Sequence, residues 1–348
     1  MSVGLIMPIS IILKPGNPIP GANAVHSSML TRLQQRMRAV AVIVLAVAVT
    51  IATYAGGTGE YGEPLDMITI HAGDYSFRAH TAGDPQDPPV ILLHGFPETS
   101  FMWRSLQAVL AERGYYSIAF DQRGYSPDAR PRGRGRYTLD LVAGDVISVA
   151  ESLGIERFHL IGHDWGSAAG WAVAATYPRR VLSWTALSVP HVDALARAIR
   201  DDQAQYEASA YMRLFQFPLV PELLLKSRDF RRLKAIWQDS SPEEVEAYLS
   251  VFSEPGAVSA ALNWYRANYR SLTRQERILP NVEVPTLFVW GRNDPAILQT
   301  GPELNSEYVS GPYTEHFLDA GHWLVQEAFP ELSELILDHL VVTRNSVR

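Results

Sequence analysis

Short runs of consecutive apolar residues alternate along the chain with segments in which apolar residues recur every three or four positions. The apolar runs at 90–93, 116–120, 158–161, 181–189, 286–290 and 316–318 predict strands, mostly buried on both faces. Leu139, Val142, Val146, Val149 and Leu153 share one face of a predicted helix. Alternating strands and helices predict an α/β fold with a mostly parallel sheet flanked by helices.

The alternation is interrupted once. Residues 191–281 contain no convincing buried strand, and Val245, Tyr248, Leu249 and Phe252 lie on one face of a predicted helix. We therefore expect a core formed by residues 66–190 and 282–343, with a helical lid inserted at 191–281. The arginine- and glycine-rich stretch at 130–136 is expected to be a solvated connection between a strand and a helix.

The amino-terminal segment follows a different pattern. Residues 29–38 carry three arginines, and residues 39–52 form an apolar run of 14 residues before the small residues near Ala55. This pattern predicts a signal peptide within residues 1–55, with 29–55 as its main part, and a secreted or periplasmic protein. The alternative is a membrane anchor at 39–55, so any membrane association is expected only through this segment. Met29 is a second possible start.

Composition narrows the possible functions. The formal net charge is −7, which argues against a nucleic-acid-binding protein. The chain has no cysteine, which excludes disulfides, thiol catalysis and cysteine-based zinc sites. The apolar fraction of 47% is that of a globular protein with a large core.

The candidate nucleophile lies in the sequence Gly-His-Asp-Trp-Gly at 162–166, between the strand at 158–161 and a predicted helix from Ala168. A nucleophile between two glycines at a strand-to-helix turn is a nucleophile elbow, in which Asp164 replaces the more usual serine. An aspartate between glycines is also a common turn former. Its place after a buried strand favours the catalytic interpretation.

The other members of a catalytic triad follow in the expected order of nucleophile, acid and histidine. Asp294 comes after the strand at 286–290, where it would either orient a histidine or cap the turn before Pro295. His322 comes after the last strand and is the candidate base. The backbone N–H groups of Phe96 and Trp165 are placed to receive an oxyanion that develops on Asp164.

A carboxylate suits a different reaction from a serine. With a reference pKa of about 3.9 it is ionised at neutral pH without a base. It can attack a saturated carbon that bears a leaving group and form an alkyl ester. His322 is then available to activate the water that hydrolyses the ester.

The chain resembles the epoxide hydrolase and haloalkane dehalogenase branch of the α/β hydrolases. The resemblance spans 66–343 through HGFPE at 94–98, DQRGYSP at 121–127, GHDWGS at 162–167, GRND at 291–294 and GHW at 321–323. It implies a fold with no metal or other cofactor, and a substrate pocket bordered by His94, Pro97 and Trp264.

Two lid motifs of the epoxide hydrolases are matched. Tyr211 begins the pattern Tyr-x-x-x-Phe-Gln-x-Pro, and Tyr265 lies in Asn-Trp-Tyr-Arg. The resemblance implies that both tyrosines bind the epoxide oxygen, and a phenol with a pKa near 10 can donate a proton to the alkoxide. The chain departs from many such lids at Arg213, where an aromatic residue is usual.

Three functions follow in order of preference. The first is an epoxide hydrolase acting on a small-molecule epoxide. The second is a haloalkane dehalogenase, although Phe96 stands where the second halide-binding residue, an asparagine, is expected. The third is a ligand-binding protein without catalytic activity, because a fold does not determine a function. Esterase activity is disfavoured, since an aspartate would form an anhydride with an acyl substrate.

Overall fold

The central element of the fold is an eight-stranded sheet. A computed structural model describes residues 66–274 and 278–346. The strands are β1 (Asp66–Ala72), β2 (Tyr75–Ala82), β3 (Pro89–Leu93), β4 (Tyr116–Phe120), β5 (Phe158–His163), β6 (Val181–Leu187), β7 (Thr286–Gly291) and β8 (Tyr313–Leu318). Their order in the sheet is β1-β2-β4-β3-β5-β6-β7-β8. All pairs from β4 to β8 are parallel, which confirms the predicted α/β fold.

The first two strands differ from the rest. β1 and β2 form an antiparallel hairpin, and β2 also pairs antiparallel with β4. Strand β2 alternates between buried and partly buried residues, whereas β5 is buried at every position. The sequence indicated strand–helix alternation from residue 66, but this edge of the sheet is a hairpin because no helix separates its strands.

Twelve α-helices lie in the described residues. They are α1 (Arg104–Glu112), α2 (Leu139–Ser152), α3 (Trp165–Thr176), α4 (Val192–Asp201), α5 (Gln203–Ala208), α6 (Ala210–Phe215), α7 (Val220–Ile236), α8 (Pro242–Phe252), α9 (Ala257–Arg274), α10 (Thr300–Leu304), α11 (Leu324–Glu327) and α12 (Phe329–Ser346). Helices α4 to α9 all fall between β6 and β7, and we refer to residues 192–274 as the helical insertion.

The helical insertion is hydrogen-bonded to core loops at the carboxyl ends of the strands. The indole N–H groups of Trp237 and Trp264 donate to the carbonyl oxygens of Pro97 and Arg123 at 3.0 and 2.8 Å. The Asn268 amide donates to the carbonyl oxygen of Tyr137 at 3.0 Å. These groups are buried, so each hydrogen bond satisfies polar atoms that water cannot reach. The insertion is therefore held against the end of the sheet where catalytic loops of α/β folds lie.

Some boundaries differ from the sequence prediction. Helix α3 begins at Trp165, three residues before the expected Ala168, and its small residues allow close packing on the sheet. At Gly170, a Cβ atom would come within 2.0 Å of the Trp184 ring. A separate short helix, α11, precedes the final helix that the sequence predicted as the element opened by His322.

The predicted signal peptide or anchor within residues 1–55 lies outside the described residues. Within 66–274 and 278–346, no helix combines the length and apolar character needed to span a membrane.

Candidate active site

The turn between β5 and α3 places Asp164 at the carboxyl end of the sheet. Asp164 has a φ of 51°, which is uncommon for a residue with a side chain. Three glycines allow the close packing around it. A Cβ atom at Gly162 would lie 2.4 Å from the carbonyl oxygen of Gly166, and one at Gly166 would lie 2.0 Å from that of Leu93. At Gly95, a Cβ atom would lie 2.4 Å from Asp164 itself.

The Asp164 carboxylate has one partner for each oxygen. The backbone N–H of Phe96 donates to Oδ1 at 2.8 Å. Nε2 of His322 lies 3.4 Å from Oδ2. Trp165 is the first residue of α3, so its N–H is one of the helix amides that have no acceptor within the helix. Oδ1 is thus held by a backbone donor, while Oδ2 faces the histidine.

Asp294 and His322 come together as the sequence predicted. Nδ1 of His322 lies 2.7 Å from Oδ2 of Asp294. The other Asp294 oxygen, Oδ1, accepts the backbone N–H groups of Ala296 and Ile297 at 2.7 and 2.9 Å. Both sequence interpretations of Asp294 therefore describe real contacts, one for each oxygen. With Nδ1–H donating to Asp294, Nε2 faces Asp164.

The site forms a buried charge pair. Burial by itself would raise the pKa of Asp164, but the hydrogen bond and charge of His322, the charge of His163 and the Phe96 N–H together lower it. Burial would lower the pKa of His322, but Asp294 and Asp164 raise that pKa well above its usual value. The carboxylate is therefore ionised at neutral pH.

A second buried pair, which the sequence analysis did not identify, supports the His322 loop. Nε2 of His163 donates to the backbone carbonyl of His322 at 2.9 Å, and the Ser188 hydroxyl donates to the same oxygen at 2.7 Å. Nδ1 of His163 lies 3.3 Å from Oε2 of Glu98, which is 1% exposed. The Gln326 amide donates to Glu98 at 2.8 Å. The glutamate of the HGFPE motif, Glu98, is the sequence feature that could have pointed to this pair.

The helical insertion brings the two candidate tyrosines together above the elbow. Tyr211 lies on α6 and Tyr265 on α9, with ring centroids 5.8 Å apart. The Tyr265 ring is 4.9 Å from that of Trp165 and 5.6 Å from that of Phe96. Burial, followed by the charge of Asp164, raises the pKa of both phenols. Both tyrosines therefore remain protonated and can act as donors.

Hydrogen bonds to the backbone hold these two helices at a fixed spacing. Nε of Arg266 donates to the carbonyl oxygen of Phe215 at 2.8 Å. The Gln216 amide donates to the carbonyl oxygens of Met212 and Tyr265 at 3.0 and 3.4 Å. The glutamine and arginine of the two lid motifs thus link α6 to α9, next to the tyrosines of the same motifs.

The three predicted pocket residues have structural contacts. Nε2 of His94 accepts the backbone N–H of Gln122 at 3.0 Å, and Nδ1 bonds to the carbonyl oxygen of Gly95 at 3.0 Å. Both ring nitrogens of His94 are therefore engaged by backbone groups. The carbonyl oxygen of Pro97 and the indole of Trp264 take part in the hydrogen bonds between core and insertion. The Trp264 ring also lies 5.8 Å from that of Trp165.

Arg213, the departure from the usual lid pattern, contacts Tyr206. Its guanidinium lies 4.4 Å from the centroid of the Tyr206 ring, and its Nη1 donates to the Tyr206 carbonyl oxygen at 3.2 Å. This cation–π contact satisfies the arginine at the surface of the insertion.

The arrangement provides the parts of a two-step displacement. An ionised carboxylate interacts electrostatically with two protonated phenols, and a histidine oriented by a second carboxylate lies beside it. A backbone N–H already contacts the oxygen on which an oxyanion would form. These groups can supply a nucleophile, a proton donor and a base without a metal ion.

Comparison with known proteins gives one family. The model of the alpha/beta hydrolase fold family matches residues 88–329. Human Epoxide hydrolase 4 is 34% identical over 282 residues, which cover 77% of this chain and 76% of the human protein. Epoxide hydrolase A of Mycobacterium tuberculosis is 32% identical over 320 residues, covering 80% of this chain and 98% of its own.

Solved structures show the same similarity. An epoxide hydrolase variant from Bacillus megaterium, complexed with a naphthyloxy-propane-diol product, superimposes with a TM-score of 0.72 at 27% identity. That match covers 78% of this chain and 99% of the other. Epoxide Hydrolase A from Mycobacterium thermoresistibile matches with a TM-score of 0.68 at 28% identity, covering 80% and 98%.

Proposed function

This chain belongs to the α/β-hydrolase fold family, in its epoxide hydrolase branch, and we propose that it converts epoxides to vicinal diols through an ester on Asp164. The observation that carries the proposal is the position of Tyr211 and Tyr265. Their rings pack together, and the Tyr265 ring lies beside Trp165 and Phe96, the residues that flank the Asp164 carboxylate. A buried phenol and a partly buried phenol close to a carboxylate suit the opening of a strained ether.

The first step is ring opening. Oδ2 of Asp164 attacks an epoxide carbon, a carbon–oxygen ester bond forms, and the ring carbon–oxygen bond breaks. The leaving oxygen takes a proton from Tyr211 or Tyr265, because an alkoxide is a poor leaving group without one. Oδ1 continues to accept the hydrogen bond from the Phe96 N–H and becomes the carbonyl oxygen of the ester. In this role the helical insertion acts as a lid that carries the proton donors.

The second step is hydrolysis of the ester. Nε2 of His322 takes a proton from water, and the hydroxide attacks the carboxyl carbon of Asp164. The Phe96 and Trp165 N–H groups receive the oxyanion on Oδ1. Collapse of this intermediate breaks the bond between the carboxyl carbon and the former Oδ2. The leaving alkoxide takes the remaining proton of the attacking water and departs as the diol, and the water oxygen stays on the Asp164 carboxylate. The proton that His322 loses after ring opening passes, directly or through water, to the tyrosinate, and the imidazolium formed from the attacking water then restores the resting charge pair.

The first step also prepares the base for the second. Esterification removes the negative charge of Asp164, which is one of the groups that raise the pKa of His322. The imidazole therefore loses its proton more readily once the ester has formed, and it becomes a base when a base is needed.

An epoxide fits this site better than a haloalkane. A halide leaves as a stable anion and needs no proton, whereas the two phenols provide one. Burial raises the pKa of Tyr265, and a hydrogen bond from the Trp165 indole to the Tyr265 hydroxyl partly offsets that rise. The indole that would bind a halide therefore already has a partner in the site.

A substrate panel tests the proposed function. The purified chain is assayed for diol formation from aliphatic, aromatic and terpenoid epoxides, and for halide release from haloalkanes of matched size. We expect diols from epoxides and no halide. Halide release without diol formation would overturn the proposal in favour of a dehalogenase.

We also propose that the chain is exported, on the basis of the basic and then apolar pattern at 29–55. N-terminal sequencing of the protein from its native host should give a mature chain that begins near residue 56. A cytosolic protein that still begins at Met1 or Met29 would contradict this proposal.

A further inference from the structure

A short stretch of the helical insertion exposes an unusual amount of apolar surface. Eight large apolar side chains are exposed in the described part of the chain, and four of them fall within seven consecutive residues. Phe217, Leu219, Val220 and Leu223 are 59%, 71%, 48% and 70% exposed. We call these four residues the apolar tip. A concentrated apolar patch on a protein surface indicates contact with a membrane or with another protein.

Basic side chains lie directly beside the apolar tip. A cleft of about 340 Å³ is lined by Arg134, Arg266, Arg270 and Arg274, together with Gln216 and Tyr269. The last three arginines follow each other at intervals of four along α9, so they lie on one helix face, where like charges repel. Arg266 is paired with Glu222 at 2.8 Å. Arg134 and Arg270 have no carboxylate partner among the residues that the structure describes.

The arginine-lined cleft and the apolar tip are one continuous surface. Nη2 of Arg266 donates to the carbonyl oxygen of Phe217 at 2.9 Å, and Gln216 of the cleft precedes Phe217 in the chain. Residues 213–234 carry six lysines and arginines against two acidic residues, although the whole chain has a net charge of −7. Lys226 and Arg231, which follow the tip in the chain, are exposed. The surface is therefore both apolar and strongly basic.

We propose that the apolar tip and the surrounding arginines dock on an anionic lipid bilayer. The four apolar side chains enter the boundary between headgroups and acyl chains, and the arginines bind lipid phosphates around them. Apolar residues flanked by basic residues are typical of protein segments that bind at a membrane surface. A nucleic acid or a soluble anion would use the arginines but leave the apolar tip in water. A second copy that docked through the same surface would bring the arginines of both copies together, where like charges repel.

This surface lies in a different part of the chain from the amino-terminal segment. From the sequence alone, membrane association is expected only through that segment, which lies outside the described residues. The apolar tip instead follows directly after α6, the helix that carries Tyr211. Docking would bring this part of the insertion to the membrane whether or not the amino-terminal segment is removed.

The absence of cysteine makes a local test possible. A Leu223→Cys variant of the full chain carries a single thiol, which is labelled with the polarity-sensitive fluorophore NBD. Vesicles of phosphatidylcholine and phosphatidylglycerol should shift its emission to shorter wavelength, and nitroxide-labelled lipids should quench it. The matched control is Val341→Cys, because Val341 is 50% exposed on α12, which packs against β6 and β7. This label should remain in water.

The arginines are tested in the same labelled chain. Arg134→Gln with Arg270→Gln should weaken the response to anionic vesicles by about 30-fold, since each basic residue near an anionic surface contributes roughly fivefold in affinity. Arg179→Gln is the control. Arg179 is exposed and follows the carboxyl end of α3, whereas the elbow lies at the amino end of that helix. An equal response to pure phosphatidylcholine would overturn the requirement for anionic lipid.

Three other results would overturn the proposal. If the chain sediments with the vesicles while the label at position 223 stays in water, the membrane contact lies elsewhere in the chain. An emission shift that depends on protein concentration without vesicles would identify a second copy as the partner. Suppression of vesicle binding by inorganic phosphate, with no movement of the Leu223 label, would identify a soluble-anion site. None of these results depends on whether the chain hydrolyses epoxides.

Discussion

The core and the helical insertion position their candidate site residues in different ways. In the core, Asp164, Asp294 and His322 lie in the turns and loops that follow strands β5, β7 and β8 and are held by hydrogen bonds to backbone or to each other. In the insertion, the side chains of Tyr211 and Tyr265 are held by packing between aromatic rings, and hydrogen bonds join the two helices that carry them. The core is therefore expected to set the chemistry of the ester, and the insertion to set which leaving group is accepted.

Loss of the nucleophile should have the largest effect. Asp164→Asn keeps the shape of the side chain but removes the charge that attacks the epoxide. We expect turnover to fall by about 10⁶-fold, as in other enzymes that lose their nucleophile. Diol formation at 1% of the wild-type rate would show that the carboxylate is not the attacking group.

The same variant has a readout that does not depend on turnover. Because Asp164 is one of the groups that raise the pKa of His322, the imidazole of Asp164→Asn should titrate at a lower pH than in the wild type. Titration of the imidazole followed by NMR measures this shift. An unchanged pKa would mean that the two side chains do not form the charge pair described here.

The next largest effect is expected at the acid of the triad. Asp294→Asn can still cap Ala296 and Ile297 through its amide oxygen, but its NH₂ would face Nδ1 of His322. The imidazole is then held with its proton on Nε2 and cannot accept one from water. We expect ester hydrolysis to slow by about 10⁴-fold, as in triads with the wrong histidine tautomer. Single-turnover kinetics should show fast ester formation followed by slow decay.

The insertion is tested through its tyrosines. Tyr211→Phe and Tyr265→Phe should each slow epoxide opening by about 10²–10⁴-fold, and the double variant should lose more. Decay of a preformed ester should not change. Tyr269→Phe, on the same helix as Tyr265, is the control and should keep near wild-type turnover. Unchanged opening in the double variant would remove the reason for preferring an epoxide over a haloalkane.

The core and the helical insertion also differ in how far their candidate site residues could be predicted from the sequence. The elbow, Asp294 and His322 are local features, because a strand end and a fixed chain order determine where they lie. The tyrosines come from segments 54 residues apart, Tyr211 and Tyr265, and only family resemblance identified them. Nothing in a pattern of apolar residues shows which helices of an insertion will pack together.

The buried pair of Glu98 and His163 shows a second limit of predicting contacts from the sequence. In the sequence, His163 is only a member of the Gly-His-Asp-Trp-Gly motif and Glu98 only a member of HGFPE, with no role indicated for either. Their contact joins residues 65 positions apart, and it depends on burial that the sequence does not display. The antiparallel hairpin of β1 and β2 was missed for a related reason, because edge strands lack the continuous apolar runs that predict buried ones.

The smallest effect is expected from loss of the hydrogen bonds between α6 and α9 of the insertion. Gln216→Met keeps the length of the side chain but loses the hydrogen bonds to Met212 and Tyr265. We expect a loss of about 0.5–1.5 kcal/mol in the free energy of unfolding, the net contribution of a typical hydrogen bond. Epoxide opening should slow only severalfold, and ester decay should stay the same. Urea denaturation and single-turnover kinetics measure the two effects; slower ester decay would mean that insertion and core are not separable.

In the proposed mechanism Asp164 attacks first and His322 acts only afterwards. Intact-protein mass spectrometry of His322→Gln mixed with a reactive epoxide tests this order. We expect the variant to gain the full mass of the epoxide on the peptide that contains Asp164, while Asp164→Asn gains none. No adduct on the histidine variant, with an epoxide that the wild type converts, or an adduct on a residue other than Asp164, would contradict the mechanism.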